Sequence, residues 1–218
     1  MCSAFTLHIW QVVEMIEVKM PSKTLLKSEY VSVFDKLMTE FENKIGYKCE
    51  IERTPLLTDE DIIGLRKEFV GVGCNKYGPM YHNYIDDMLM RPLEDIQIRV
   101  NYYETTHNVE YLIDAINFCM YAYRQKTKKN YICTEFEVFE VMLSDAIEYI
   151  NLKQSIQDLI NGYLDEQDLG YILVIALLLK YEIQYPIYHD AFFERVNEKT
   201  DIAGICYYDL HPAEEIYN

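Results

Sequence analysis

Residues 169–183 read LGYILVIALLLKYEI, and this stretch decides the fold. From Leu169 to Leu179, eleven residues pass without a charge. A half-buried strand would alternate apolar with polar, and a surface helix would keep a polar side. This run does neither, so it predicts a helix that is apolar all round and covered by neighbours at the centre of a bundle. It is too short to cross a bilayer, which takes about 20 residues. Asp165-Glu166-Gln167-Asp168 supplies a turn and an N-cap ahead of it, since a short carboxylate can accept from the free N–H groups of a first turn. Pro186 stops it.

The segments around it read as amphipathic helices. Phe136, Phe139, Leu143, Ala146, Ile147 and Ile150 form one apolar stripe, with Thr134 and Glu137 as a capping box in front. Ile156, Leu159, Ile160 and Tyr163 mark a helix near Lys153–Leu164. Between Asn108 and Arg124, residues Val109, Leu112, Ile113, Ile116, Met120 and Tyr123 fit one helical face, which runs into the basic Arg124, Lys126, Lys128, Lys129 cluster. Thr24–Ile45 carries Tyr30, Val33, Leu37 and Phe41 at three- and four-residue steps and stops at Gly46. Thr58 and Asp61 suit a further helix start, with Ile62, Leu65 and Phe69 as its buried face.

Helices are also expected over Met80–Met90 and Ile187–Val196, while Leu93–Tyr103 reads as helical or extended. Residues 5–18 mix strand-like alternation with helical spacing; minor short strands are candidates there and near 49–52 and 205–208. The expected fold is mainly α, a bundle-like single domain over residues 1–218 with about seven to nine helices around 169–183. The stretch from Gly71 to Pro79 is the most loop-like, and offers an alternative split into a subdomain 1–73 and a helical domain 79–218.

Half of the residues are hydrophobic, enough for a packed core. Six cysteines are scattered without a CxxC pair and read as reduced and structural. Met1–Gln11 carries no Lys or Arg, so no secretory leader is expected, and the chain reads as a soluble cytoplasmic protein without membrane association. Net charge is −16. Its distribution is uneven: residues 131–218 hold 17 acidic and 4 basic side chains, a net of −13. Such a field disfavours direct nucleic-acid binding and favours a basic protein surface.

No complete catalytic motif is present. The glycines at 71, 73 and 78 fail both phosphate-loop patterns, with Lys76 and Pro79 at the wrong places, and read as a plain turn. The spacing of Arg99 and His107 does not fit an Arg–His ribonuclease pair. No HExxH or paired Cys/His spacing exists, so neither a metal nor a cofactor is expected. His82 with Asp86, and Asp190 with Glu194 beside His189, read more simply as surface groups than as sites, and Cys206 with His211 lack the distant-segment spacing usual for a cysteine nucleophile and its base.

Two features point outward. The chain has 20 tyrosines, and runs such as Tyr102-Tyr103, Tyr121 with Tyr123, and Tyr207-Tyr208 are not expected to face one core together, so some should be at a surface or interface. At about 100° per residue, Glu137, Glu140, Ser144 and Glu148 fall on one strip beside the apolar stripe of their helix. The functional expectation is a non-enzymatic interaction factor of the inhibitor, immunity or counter-defence type. It would use Glu137, Glu140 and Glu148 on a basic protein partner, with nucleic-acid mimicry as a variant. The alternative is an enzyme or nucleotide-handling protein whose site draws on His82, Asp86, His189 and Asp190.

Overall fold

The computed structural model describes residues 27–47, 53–77, 91–125, 136–148 and 151–196. The strand candidates near 5–18, 49–52 and 205–208, the helix expected over Met80–Met90, and the Thr134 cap lie outside them. Seven helices follow in chain order: α1 (Lys27–Ile45), α2 (Asp59–Tyr77), α3 (Pro92–Thr106), α4 (Glu110–Gln125), α5 (Phe136–Glu148), α6 (Leu152–Glu166) and α7 (Leu169–Gln184). They pack as a single all-α domain with no strand among the described residues.

The helix ends follow the local chemistry. Thr58 and Asp61 close the capping box of α2: Thr58 N donates to Asp61 Oδ2 at 3.0 Å and Asp61 N to Thr58 Oγ1 at 3.2 Å. Asp168 caps α7 by accepting from Gly170 N at 2.8 Å, and Asn151 caps α6 by accepting from Gln154 N at 3.0 Å. Pro92 opens α3, where a missing N–H costs nothing.

α7 is the predicted core helix, and from Leu169 to Gln184 every residue except Lys180 is buried. A second central helix was not predicted. α4 is buried from Tyr111 to Tyr123, with only Asp114 partly exposed. The reason is its position: α3 and α7 pack along it, and α1 and α2 also touch it. Its apparently weaker face, with Tyr111, Ala115, Phe118 and Tyr121, is therefore covered as fully as its aliphatic one. This also decides the Tyr121 and Tyr123 pair, while Tyr207-Tyr208 lies outside the described residues. Tyr121 and Tyr123 are both buried, and no tyrosine whose side chain is described is exposed.

Two expectations are not met. Gly71 and Gly73 lie within α2, which continues to Tyr77, because glycine lowers helix propensity by only about 1 kcal/mol each and does not forbid a helix. Residues 187–196 are not helical. Their backbone groups are taken by the corner between α3 and α4: Phe192 N donates to His107 O at 3.1 Å, and Val109 N to Phe192 O at 2.9 Å. Asn108 adds a two-way clamp, donating to Glu194 O at 2.6 Å and accepting from Glu194 N at 3.3 Å. Residues 185–196 thus form a strap over that corner.

Glycines seat α5 and α6 on α7. A side chain at Gly170 would overlap the Phe139 ring of α5, and one at Gly162 of α6 would overlap the Tyr171 ring of α7. Phe139 and Tyr171 meet edge to face at 5.5 Å. This aromatic seam sets which side of α5 turns outward.

Candidate functional site

With Phe139 and Leu143 facing the core, the opposite side of α5 is solvent-facing. At about 100° per residue, Glu137, Val141, Ser144 and Glu148 share the outward strip, bordered by Val138 and Asp145, and all six are exposed. Val141 is 57% exposed and Val138 43%. Of the three expected partner-binding residues, Glu137 and Glu148 lie on the strip. Glu140 sits at its border and is half-buried. An exposed apolar residue leaves no mark in a periodicity of carboxylates, so Val138 and Val141 emerge only from the structure.

α6 repeats this chemistry with exposed Asp158, Asp165 and Glu166 beside Leu164, which is 53% exposed. From residue 136 on, the exposed cations among the described residues are Lys153 and Arg195, and Arg195 is already paired with Glu68 at 2.5 Å. The acidic balance of the sequence is therefore a property of the exposed surface here.

Of the four groups expected for the alternative enzyme site, His189 and Asp190 are among the described residues. His189 and Asp190 are exposed in a turn of the strap, and Glu194, no longer on a helix with Asp190, uses its backbone to hold Asn108. His82, Asp86, Cys206 and His211 lie outside the described residues. Asp190 does pair with His107, whose Nδ1 lies 2.8 Å from Asp190 Oδ1, and the His107 ring stacks on Tyr188 at 3.9 Å. His107 holds this position because it ends α3 in the left-handed region at φ 59°. Tyr188 in turn meets Tyr103, whose hydroxyl donates to the buried Glu182. Burial raises the Glu182 carboxyl to about 7. Among the described residues, no group of three or more His, Cys, Asp or Glu side chains could hold a metal ion, and no helix is long and apolar enough to cross a membrane.

The polar centre of the molecule is elsewhere, at Arg66. This side chain is 1% exposed, between α1, α2 and α4. Its Nη1 donates to Asp35 of α1, its Nε to Asn117 Oδ1 of α4 at 3.1 Å, and its guanidinium lies 5.6 Å from the Phe34 ring centre. Asn117 Nδ2 donates back to Arg66 O at 3.3 Å, so one amide holds both the side chain and the backbone of Arg66. Burial pushes the Asp35 carboxyl up, against the pull of Arg66, and pushes the Arg66 guanidinium down. Beside the pair is a cleft of about 40 Å³ that also reaches Asp59 and Lys180.

Sequence reading took Ile62, Leu65 and Phe69 as the buried face of α2. Leu65 and Phe69 do pack, half-buried, against the core, and the fully buried positions are Ile62, Arg66 and Val70, at steps of four. That spacing was the available signal: a single cation between two apolar residues on a helical stripe. Compared with known proteins, the chain matches no family model, no curated protein and no solved structure.

Proposed function

We propose that this chain is a non-enzymatic protein-interaction factor of the inhibitor, immunity or counter-defence type. It acts in the cytoplasm by presenting the outward face of α5 to a basic surface on a protein partner. The observation that carries this reading is Val141, more than half exposed at the middle of a strip edged by Glu137, Asp145 and Glu148. An apolar centre inside a charged rim is the anatomy of a binding patch: the centre gains from leaving water, and the rim steers the encounter and selects the partner's sign. The exposed carboxylates of α6 extend the same field.

Nucleic-acid mimicry is the less favoured variant, because a phosphate mimic needs an unbroken row of carboxylates and Val138 and Val141 interrupt this one. Capture with the native chain, followed by identification of the bound protein, supplies the partner for the test. Reversing Glu137, Glu140 and Glu148 to Lys together is expected to weaken that complex about tenfold or more and to flatten its salt dependence. Binding indifferent to this reversal sinks the proposal. Mimicry further requires that DNA or RNA compete with this chain, and simultaneous binding of both dismisses it.

A further inference from the structure

We propose that residues 185–196 are a strap gated by pH, closed over the α3–α4 corner in acid and released from it as the medium turns alkaline, with the helical bundle still folded. The segment has the sequence spacing of an amphipathic helix, so its observed path depends on what ties it down. At one end Ile187 N donates to Glu182 Oε1 of α7 at 3.0 Å, and at the other Val196 N donates to Glu110 of α4. Between them Phe192 pairs with the backbone of His107 and Val109, Asn108 clamps Glu194, and His107 Nδ1 meets Asp190 Oδ1 at 2.8 Å.

Both end anchors are carboxyls that the strap itself helps to bury. Glu182 is 7% exposed; Tyr103 of α3 and Ile187 of the strap donate to it, Tyr188 packs on Tyr103, and Arg53 is a cation facing it. Glu110 faces Asp114 on its own helix, Arg99 of α3, and Arg195 of the strap, which is paired with Glu68 of α2. Burial outweighs these cations and hydrogen bonds, so both carboxyls rise from 4.5 to about 7 and favour the neutral form while the strap is closed. Detachment returns them to water, where the ionised form gains most. Closure is therefore fully supported below the ordinary carboxyl value and loses support as pH rises through about 7. The His107–Asp190 contact, with His189 beside it, acts in the same direction, because it is an ion pair only while the His107 ring is protonated. Asp95, which burial raises to about 6, faces Arg99, Glu94 and Asp114 and bears on the bundle instead of the strap.

Release changes what the corner presents. Tyr103, Asn108 and Val109 are buried with the strap closed and lose its cover when it detaches. The charge change sits at the two carboxyls, and the strap is the element with two positions that this change biases. No residue of the α5 surface takes part, so the device stands or falls independently of the proposed interaction face.

The test is amide hydrogen exchange of the full chain between about pH 5 and about pH 8, with each rate taken relative to an unstructured amide at the same pH. The N–H groups of Ile187, Phe192, Val196 and Val109 report on the strap, and those of Ile175 and Leu177 report on the centre of α7. Protection of the strap amides is expected to fall about tenfold or more across this range, and to lie well below that of the α7 amides at every pH. Glu110→Gln with Glu182→Gln keeps an acceptor oxygen at each end and removes both titrations, so the fall should shrink to about threefold or less, the share of an exposed ion pair. Asp190→Asn, at a side chain 76% exposed, is the second variant and is expected to leave most of the fall in place. The proposal is overturned by strap protection that is flat with pH, by strap amides that exchange no faster than those of α7, by a fall undiminished in the folded double variant, or by a fall that Asp190→Asn alone abolishes.

Discussion

Helices α4 and α7 pack along one another and are buried to the same degree, yet different chemistry buries them. From Ile172 to Leu179 α7 is wholly aliphatic and needs nothing from its neighbours but surface to cover it. α4 carries Asn117, Cys119 and four aromatic residues, and its position depends on partners that satisfy it, above all Arg66 and Asp35. The comparison teaches that a central helix can be specified by hydrophobicity alone or by hydrogen-bonded groups that accept only one arrangement. The first gives little choice of neighbour, and the second fixes which helix lies where.

The largest effect is expected on the α4 side. Arg66→Ala leaves Asp35 buried without its cation and Asn117 without its donor, and chemical denaturation should show a loss of about 3–5 kcal/mol. Replacing the whole node by apolar groups, as Asp35→Leu, Arg66→Met and Asn117→Leu together, should recover most of that loss. A triple variant as unstable as Arg66→Ala would show that the loss does not come from the stranded Asp35 and Asn117 side chains. On the α7 side, Leu177→Ala should cost about 2–5 kcal/mol by the same measurement, from lost burial and the cavity left behind. No compensating polar change can restore it.

Gly170→Ala tests how α7 seats α5. The new methyl must displace the Phe139 ring, which is enclosed by Phe41 and Tyr171, so a loss of about 1–3 kcal/mol is expected in the same unfolding assay. A neutral result would mean that the seam has slack and that the outward face of α5 is less firmly set.

A pH-dependent effect separates the ends of the two helices. Glu110 opens α4 and Glu182 lies in the last turn of α7, and each holds the strap, by accepting from Val196 N and from Ile187 N respectively. Burial raises both carboxyls from 4.5 to about 7. Their neutral forms are thus favoured in the folded state. That contribution is complete below the unfolded value and is lost as pH rises through about 7. Denaturation midpoints should fall between about pH 5 and about pH 8, and Glu182→Gln should reduce the fall. An unchanged pH profile in that variant would assign the effect to Glu110 or to Asp95, whose carboxyl burial raises to about 6.

Legibility in the sequence follows the same division. Helix α7 was readable because eleven uncharged residues admit one reading, and the Asp168 and Thr58–Asp61 caps were readable because capping is local. The second central helix was not. Tyr, Asn and Cys are at home on a surface or in a core, and only the presence of four neighbouring helices around α4 decides between them. Residues 187–196 had the spacing of an amphipathic helix, and the backbone hydrogen bonds offered by His107–Val109 and the Asn108 side chain outcompeted it.

The candidate sites were legible in part. Glu137 and Glu148 could be placed on an exposed strip from periodicity, since α5 buries a single clean stripe. Val141 at the centre of that strip, and Glu140 at its border, depended on the exact rotation set by Phe139 against Gly170. Arg66 stood on the page as a charge in an apolar stripe, but its partners are 31 and 51 residues away in the chain.

By itself, then, the sequence determined what local and compositional physics can determine: an all-α chain, a central apolar helix, its caps, and an acidic second half. Only the tertiary structure decided that α4 joins α7 in the core, that the tyrosines described turn inward, that the strap is not a helix, and that a buried cation, Arg66, is held by Asp35 and Asn117. These outcomes depend on which distant groups meet, and hydrogen bonds and close ring contacts select among packings that hydrophobic burial alone leaves equivalent.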